Sequence, residues 1–336
     1  MKEALLWEKN EDNVVHCFLC SHHCRIQPNK SGFCSVRKNI DGRLFTFAYG
    51  KTIAEQIDPV EKKPLYHFLP DTPTFSIATI GCNFRCGFCQ NWSISQTEKG
   101  EIEGGWGKPV SPGEIVRKAA DAGCRSISFT YTEPTIFFEY AIETAKLAKK
   151  HNLRTVFVSN GYMTVQALQM IAPYLDACNI DLKSFRDEYY RKLCKARVAP
   201  VLDTLKKIHQ LGIWLEVTTL VVTGENDSEQ ELGKIASFIA DELSENVPWH
   251  VSRFFPQYEF TDHFATSVSV IKKAVEIGHK AGLHYVYAGN VGGDTDTFCP
   301  QCGEIVVHRT GYRTERPWIA SGRCKTCGKE ISGIWK

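Results

Sequence analysis

Between residues 74 and about 291, short β-branched and aromatic runs alternate with longer amphipathic stretches, and this alternation constrains the fold most. Capping boxes begin two of the amphipathic stretches, at Ser111-Pro112-Gly113-Glu114 and Ser228-Glu229-Gln230-Glu231. Repeated strand–helix units predict an α/β fold with parallel strands covered by helices, either as an open sheet or as a barrel. In both arrangements ligands bind at the carboxyl ends of the strands. We expect the strands to cover residues 74–80, 125–130, 154–158, 176–182, 213–222, 249–254 and 283–288.

Three cysteines, Cys82, Cys86 and Cys89, follow the first of these strands in a CxxxCxxC pattern. Three thiolates can hold an iron–sulfur cluster, but a closed cubane needs four protein ligands. One iron would therefore stay open, which matters only if another molecule binds there. An incomplete zinc knuckle is the alternative. The position at a strand end and the interleaved aromatic residues favour the cluster.

These residues carry a family resemblance. Cys82, Cys86 and Cys89, with the aromatic Phe88 before the last cysteine, resemble the signature of radical S-adenosylmethionine (SAM) enzymes. The run Phe88-Cys89-Gln90-Asn91-Trp92 resembles more narrowly the enzymes of the AmmeMemoRadiSam system, relatives of the pyruvate formate-lyase activating enzymes. The resemblance implies a partial (β/α)6 barrel. It also implies a [4Fe-4S] cluster whose fourth iron is chelated by SAM.

The chemistry implied by the resemblance is reductive cleavage of SAM. A 5′-deoxyadenosyl radical then abstracts hydrogen from a substrate. The resemblance leaves that substrate open between a glycyl-radical-type or other partner protein and a small molecule or cofactor. It implies a reducing electron donor such as ferredoxin or flavodoxin, and makes an AMMECR- or Memo-like protein a candidate partner. A metal-stabilised binding protein without catalysis is the alternative from another class, and the open three-cysteine site speaks against it.

The same resemblance suggests SAM-binding residues at the ends of the other strands. Thr-Tyr-Thr stands before Glu133 where the family has glycines, so a backbone contact to SAM is the expectation there. Asp181 and Lys183 lie two apart on a strand and share a face, so they either form a structural ion pair or hold polar ligand groups. A histidine such as His250 is also explained as a structural residue. The candidates are Phe88, Thr132, Glu133, Ser159, Asn160, Asp181, Lys183, His250 and Arg253.

Residues 1–50 form a cysteine-rich segment that contains Cys17, Cys20, Cys24 and Cys34. Four thiols in so short a stretch can close a metal site, and zinc and an auxiliary iron–sulfur cluster that relays electrons are both chemically possible. We favour zinc, because a short irregular segment gains its fold from a bound metal. Residues 51–73 are rich in proline and are expected to form a connector.

Residues 292–336 contain two CxxCG sequences, with Cys299 and Cys302 in the first and Cys324 and Cys327 in the second. Two such knuckles around a short β-rich stretch predict a zinc ribbon with four thiolate ligands. The remaining cysteines, Cys124, Cys178 and Cys194, are expected to be small buried apolar residues.

Composition narrows the class of protein further. The net charge of the 336 residues is +2, which gives no electrostatic footprint for nucleic acid or for an anionic membrane. No apolar run approaches the length needed to span a bilayer. The first residues lack the apolar core of a signal peptide, so we expect a cytoplasmic protein that has no membrane partner.

Overall fold

A computed structural model describes residues 1–96, 105–316 and 319–336. The strands are β1 (Lys2–Glu3), β2 (Trp7–Lys9), β3 (Val15–Cys17), β4 (Cys24–Ile26), β5 (Arg37–Ile40), β6 (Arg43–Thr46), β7 (Lys51–Thr52), β8 (Ala54–Pro59), β9 (Pro73–Ala78), β10 (Lys108–Pro109), β11 (Ser126–Phe129), β12 (Arg154–Ser159), β13 (Ala177–Asp181), β14 (Trp214–Val221), β15 (Trp249–Arg253), β16 (Val286–Gly289), β17 (Thr297–Phe298), β18 (Ile305–Thr310), β19 (Arg313–Glu315), β20 (Ile319–Ala320) and β21 (Arg323–Cys324). The α-helices are α1 (Trp92–Ser95), α2 (Pro112–Asp121), α3 (Phe138–Lys150), α4 (Val165–Ile171), α5 (Asp187–Tyr189), α6 (Ala199–Gln210), α7 (Glu229–Phe238) and α8 (Val268–Lys280).

One eight-stranded sheet organises the chain. Its strand order is β16-β15-β14-β13-β12-β11-β9-β8, so the strands from β9 to β16 follow one another in sequence order. Those seven strands are parallel, and helices connect them. Their side chains are buried almost continuously, as expected where helices cover a parallel sheet. The predicted parallel α/β fold is confirmed.

The edge of the sheet corrects the expectation for residues 51–73. This segment contains β8, which pairs antiparallel with β9 over six residues and forms one edge of the sheet. Its proline, Pro59, lies at the last position of the strand, opposite Pro73. Proline is tolerated at an edge strand because no inner ladder hydrogen bond is lost there. The segment is therefore part of the sheet as well as a connection.

The two predicted capping boxes have different outcomes. At α2 both halves form, because the Ser111 hydroxyl accepts from the Glu114 amide and the Glu114 carboxylate accepts from the Ser111 amide. At α7 the Ser228 hydroxyl caps the Glu231 amide. The Glu231 carboxylate instead accepts from the Ser184 hydroxyl and the Phe185 amide, which ties α7 to the loop after β13.

The ends of the chain form smaller sheets around the main one. Near the amino terminus lie two three-stranded sheets, β1-β6-β5 and β2-β3-β4. A third three-stranded sheet, β17-β18-β19, and the strand pair β20-β21 follow β16. Buried apolar side chains join the amino-terminal sheets and the main sheet in one core. No helix of the described residues combines the length and the apolar character needed to cross a membrane.

Candidate active site

The carboxyl ends of the parallel strands converge on one cavity of about 460 Å³. Each of the seven parallel strands contributes lining residues from its end or from the loop that follows it. Of the twelve residues that the sequence predicts to bind the cluster or SAM, eleven line this cavity: Cys82, Cys86, Phe88, Cys89, Thr132, Glu133, Ser159, Asn160, Asp181, Lys183 and His250. The geometry brings them together, and their individual roles stay predictions.

The cysteine loop begins directly after β9 and is held by close packing. Gly81 has φ +96°, a conformation that favours glycine, and an added Cβ would lie 2.9 Å from a methyl group of Val36. At Gly87 an added Cβ would lie 2.8 Å from the ring of Phe260. The loop therefore depends on a minimal backbone at these two positions.

The three sulfurs of the loop are sheltered and receive polar contacts. The Phe84 amide donates to Cys82 Sγ at 3.3 Å, and Cys89 Sγ lies 3.1 Å from Ser95 Oγ. Burial, reinforced by the Glu133 carboxylate and the other two cysteines, raises the pKa of Cys82 well above its ordinary value. Ligands of a single metal ion lie close together, and among the described residues only the C-terminal cysteines form a group with ligand atoms within 4.8 Å of one another. Cys82, Cys86 and Cys89 do not form such a group. Separated thiols on one cavity wall fit a cluster in which each binds a different iron.

Asn160 and Glu133 support this loop from beneath. Asn160 Nδ2 donates to Asn83 Oδ1 at 2.7 Å and lies 3.8 Å from Cys82 Sγ. The Glu133 carboxylate accepts from both the amide and the hydroxyl of Thr135, from the Ser159 hydroxyl at 2.8 Å and from the Asn160 amide at 2.8 Å. Burial raises the pKa of Glu133 despite these hydrogen bonds. Its side chain thus positions the ends of β11 and β12.

The central residue of the Thr-Tyr-Thr sequence, Tyr131, has a backbone conformation that glycine adopts more readily than other residues. Tyr131 has φ +64°, in the left-handed region where residues other than glycine are uncommon. Its hydroxyl donates to the Asp58 carboxylate, and Thr132 Oγ1 donates to the Thr79 carbonyl at 2.8 Å. These contacts hold an unfavourable conformation at the cavity wall, which is where backbone strain is commonly found in functional sites.

Asp181 and Lys183 pair with each other and also face the cavity. Lys183 Nζ lies 2.7 Å from Asp181 Oδ2 and 5.9 Å from the centre of the Phe88 ring. Burial acts to lower the pKa of Lys183, but Asp181, Cys86 and Cys194 raise it well above the ordinary value. Lys183 is therefore a fixed positive charge beside the cysteine loop.

His250 and Arg253 differ in position. His250 Nε2 lies 2.6 Å from Glu216 Oε2, and its ring stacks on Tyr287, so this histidine is held structurally although it lines the cavity. Arg253 is the exception among the predicted SAM contacts, because it is not one of the residues that line the cavity. Its Nε donates to the Thr266 carbonyl, and its guanidinium lies 4.7 Å from the Phe255 ring centre.

A charged group of the cavity wall lies outside the candidate SAM-binding residues. Lys62 and Lys63 donate to the two oxygens of Asp58 at 2.8 and 2.7 Å, and both lysines line the cavity. Burial lowers the pKa of Lys63 to about 8, although Asp58 acts to raise it. The signal available in the sequence was the pair of lysines four and five residues after an aspartate at a strand end.

Cys194 is fully buried, as expected of an apolar cysteine, but it also lies beside the cysteine loop. Its thiol, together with burial, holds the pKa of Cys86 well above its ordinary value. The carbonyls of Leu193 and Cys194 also accept from the amides of Gly87 and Arg85. Cys124 and Cys178 are simply buried.

The C-terminal cysteines form a compact four-thiol group. Cys299 Sγ lies 3.6 Å from Cys327 Sγ, and Cys302 Sγ lies 3.7 Å from Cys324 Sγ. In each knuckle the glycine after the second cysteine has positive φ, and its amide donates to the carbonyl of the first cysteine at 2.9 Å. The group has the spacing of a metal site and is the sole such group among the described residues.

The four N-terminal cysteines lie near one another without this compact spacing. Burial raises the pKa of Cys34 to about 11, and the Cys17 thiol adds to the increase. Burial likewise raises the pKa of Cys20, with further contributions from Cys17, Cys34 and Cys24. Among the described side chains, these four do not bring their sulfurs within 4.8 Å of one another. The zinc site expected at these cysteines stays a prediction.

Comparison with known proteins agrees with this geometry. A family model for the radical SAM superfamily matches residues 76–239. An uncharacterised protein of Methanocaldococcus jannaschii is 42% identical over 335 residues, which are 98% of this chain and 99% of that protein. The pyruvate formate-lyase-activating enzyme of Clostridium pasteurianum is 23% identical over 183 residues, covering 51% of this chain and 72% of the enzyme. A radical SAM methyltransferase from Sphaerobacter thermophilus shares the fold, with TM-score 0.51, 17% identity and coverage of 66% of this chain and 67% of that structure.

Proposed function

We propose, from the radical SAM domain that matches residues 76–239, that Cys82, Cys86 and Cys89 hold a [4Fe-4S] cluster at the mouth of a partial (β/α)6 barrel. With cluster and SAM bound, reductive cleavage of SAM supplies a 5′-deoxyadenosyl radical that abstracts hydrogen from the substrate. The observation that carries the proposal is the convergence of three sheltered cysteines and eight further predicted contacts on one cavity at the strand ends.

In this scheme the protein's own residues bind the ligands and hold them in position. Lys183 keeps a positive charge beside the cysteine loop, where the carboxylate of a ligand would meet it. Glu133 and Asn160 fix the ends of β11 and β12 beneath Cys82. Lys62 and Lys63 place two further ammonium groups in the cavity wall. We propose that these lysines meet polar groups of the substrate.

The test is production of 5′-deoxyadenosine from SAM by the anaerobically reconstituted protein, with dithionite as reductant. We expect the wild-type protein and Cys178→Ala to form 5′-deoxyadenosine, since Cys178 is a buried cysteine away from the loop. The triple variant with Cys82, Cys86 and Cys89 changed to Ala should form none. Cleavage by the triple variant, or none by a wild-type protein that carries its cluster, would refute the proposal.

We also propose an identity for the C-terminal site. Four thiolates around tetrahedral zinc, each about 2.3 Å from the ion, place their sulfurs about 3.8 Å apart. The distances of 3.6 and 3.7 Å in this group support a zinc ribbon. Metal analysis should find about one zinc per chain, and Cys302→Ser with Cys324→Ser should remove it while Cys124→Ser should not.

We further propose that the chain is of the AmmeMemoRadiSam type and works with an AMMECR- or Memo-like protein. The run Phe88-Cys89-Gln90-Asn91-Trp92 supports this assignment. Trp92 stacks on Tyr258 with ring centres 5.2 Å apart and is 41% exposed, next to a lining segment of the cavity. Such a protein from the same genome should bind the wild-type chain and Met170→Ala, but bind Trp92→Ala less tightly. Equal binding by both variants would exclude Trp92 from the contact.

Reduction in the cell requires a one-electron carrier, and we propose a ferredoxin or a flavodoxin. The measurement is formation of 5′-deoxyadenosine when such a reduced carrier replaces dithionite. Failure with both carriers, while dithionite still supports cleavage, would show that another donor is used.

A further inference from the structure

The N-terminal cysteine segment is the motif that the proposed function leaves unexplained. Cys17 and Cys24 are register partners on the neighbouring strands β3 and β4, and Cys20 lies in the turn between them. Cys34 follows in the loop before β5, and Cys17, Cys20 and Cys34 are buried. Four thiols from two adjoining turns thus share one sheltered region of the chain.

The spacing of these sulfurs separates two kinds of metal site. A single tetrahedral zinc draws four sulfurs to within about 4 Å of one another, as the C-terminal group illustrates with 3.6 and 3.7 Å. Among the described residues, the sulfurs of the four N-terminal cysteines do not all lie within 4.8 Å of one another, and neither do those of Cys82, Cys86 and Cys89. Sulfurs that each bind a different iron of a cluster are necessarily further apart than sulfurs that share one ion.

The surroundings provide donors for an anionic centre. Arg37 Nη1 donates to Cys17 Sγ at 3.4 Å, and the Phe33 amide donates to Cys24 Sγ at 3.5 Å. Arg37 is 1% exposed, and its Nε is a buried donor for which the described residues provide no acceptor. Arg37 Nη2 pairs with the buried Glu139 carboxylate. Nη1 nevertheless contacts sulfur and Nε has no acceptor, so donors for an anionic centre remain on this guanidinium.

This segment packs directly on the loop of the first cysteine motif. An added Cβ at Gly81 would lie 3.2 Å from the Cys34 carbonyl. The Arg85 guanidinium, within the CxxxCxxC sequence, donates to the Phe33 carbonyl at 2.7 Å and to the Ser35 hydroxyl at 3.3 Å. His22 Nε2 lies 2.6 Å from the Asn83 carbonyl oxygen. The two cysteine groups therefore share a wall.

We propose that Cys17, Cys20, Cys24 and Cys34 bind a second, fully ligated iron–sulfur cluster of the cubane type rather than zinc. The inference rests on four neighbouring thiols, three of them buried, whose sulfurs are not gathered within 4.8 Å of one another. With four protein ligands the cluster has no open iron. It is thus a site of different chemistry from the three-cysteine loop, and its existence does not depend on SAM cleavage.

The decisive experiment uses the full chain with Cys82, Cys86 and Cys89 changed to Ala, purified without oxygen and reconstituted with iron and sulfide. We expect about four irons and four sulfides per chain to remain, with about one zinc from the C-terminal group. Dithionite reduction should give an electron paramagnetic resonance signal of a reduced cluster. Adding Cys34→Ser should remove iron and signal. Adding Cys124→Ser, the matched buried cysteine, should leave both unchanged.

The other outcomes contradict the proposal. About two zincs and no iron in the triple variant would establish a zinc site, and loss of free thiols without any metal would establish disulfides. If the triple variant does not fold, the wild-type protein decides, since two clusters require about eight irons per chain and one requires about four. Because these counts need no SAM, a negative result here leaves the proposed SAM cleavage to its own test.

Discussion

Two neighbouring lysines share one carboxylate, and their unequal burial gives a prediction. Lys62 and Lys63 donate to Asp58 at nearly equal distances, but their side chains are 43% and 2% exposed. An exposed ion pair contributes at most about 1 kcal/mol, whereas removal of one partner from a buried pair costs about 3 kcal/mol. We therefore expect Lys63→Met to lower the free energy of unfolding by about 2 kcal/mol more than Lys62→Met. Denaturant unfolding at matched cluster content measures this, and equal losses would contradict it.

A single thiol is expected to tune the cysteine loop. Cys194 neighbours Cys86 and contributes to the raised pKa of that thiol. When Cys86 binds the cluster as a thiolate, the Cys194 S–H is the remaining donor between the two sulfurs. A donor to a cluster ligand stabilises the more negative, reduced cluster, so Cys194→Ala should make the midpoint potential more negative. A hydrogen bond of about 0.5–1.5 kcal/mol limits the shift to about 20–60 mV.

Cys178→Ala is the control for this shift. Cys178 is as fully buried as Cys194, but burial alone raises the pKa of its thiol, with no contribution from a neighbouring charged or hydrogen-bonding group. Potentiometric titration of both variants distinguishes a specific contact from the loss of a buried sulfur. An equal change in the two variants would remove Cys194 from any tuning role.

At the scale of elements, the sequence predicted the strands and helix starts that local periodicity and capping determine. The seven parallel strands and the start of α2 follow from apolar patterning and from the Ser111–Glu114 capping pair. The edge strand β8 was missed because its prolines lie at the limits of the pairing, a placement that sequence alone does not reveal. The π-helical turn Tyr190–Cys194, which includes Cys194, also has no compositional signal.

A buried histidine joins the residues after β8 to the end of the chain and makes that contact sensitive to acid. His67 Nδ1 donates to the Ser332 carbonyl at 2.6 Å, and His67 Nε2 accepts from the Tyr287 hydroxyl at 2.6 Å. Burial lowers the pKa of His67 to about 4. An unfolded histidine, with a pKa near 6.5, binds a proton that the folded state rejects. The contribution of neutral His67 to the free energy of unfolding is therefore fully present above pH 6.5 and is lost as the pH falls towards 4.

We expect the free energy of unfolding to fall by about 3 kcal/mol over this window because of His67. His67→Gln keeps one donor and one acceptor but removes the titration, so it should flatten the pH dependence by that amount. His151→Gln changes an exposed histidine and should leave the slope as in the wild type. Unfolding measured at several pH values with constant zinc tests this, and parallel curves for His67→Gln and wild type would contradict it.

At the scale of the whole molecule, the contacts that complete the cavity are those the sequence could not predict. The cysteine loop was predictable because a strand end and three thiols lie together in the chain. Tyr66 and Arg309 are 243 residues apart, yet the Arg309 guanidinium donates to the Tyr66 carbonyl at 2.6 Å and lies over its ring. Only folding brings such residues together, so periodicity and spacing contain no trace of the contact.

The C-terminal four-cysteine group, with its proposed zinc, should support the cavity through these long-range contacts. The Ile334 amide donates to the His67 carbonyl at 2.7 Å, the Leu69 amide donates to the Ile334 carbonyl at 2.6 Å, and neighbouring Pro64 and Tyr66 line the cavity. Loss of the metal through Cys302→Ser with Cys324→Ser should free these two hydrogen bonds. Each contributes about 1 kcal/mol, so exchange of the two donor amides, those of Leu69 and Ile334, should accelerate about fivefold or more. Hydrogen exchange followed by mass spectrometry measures this, with β11 and β12 as internal references and Cys124→Ser as the control variant. Unchanged exchange at Leu69 and Ile334 in a protein shown to lack the metal would mean that the C-terminal segment holds the cavity wall without its metal.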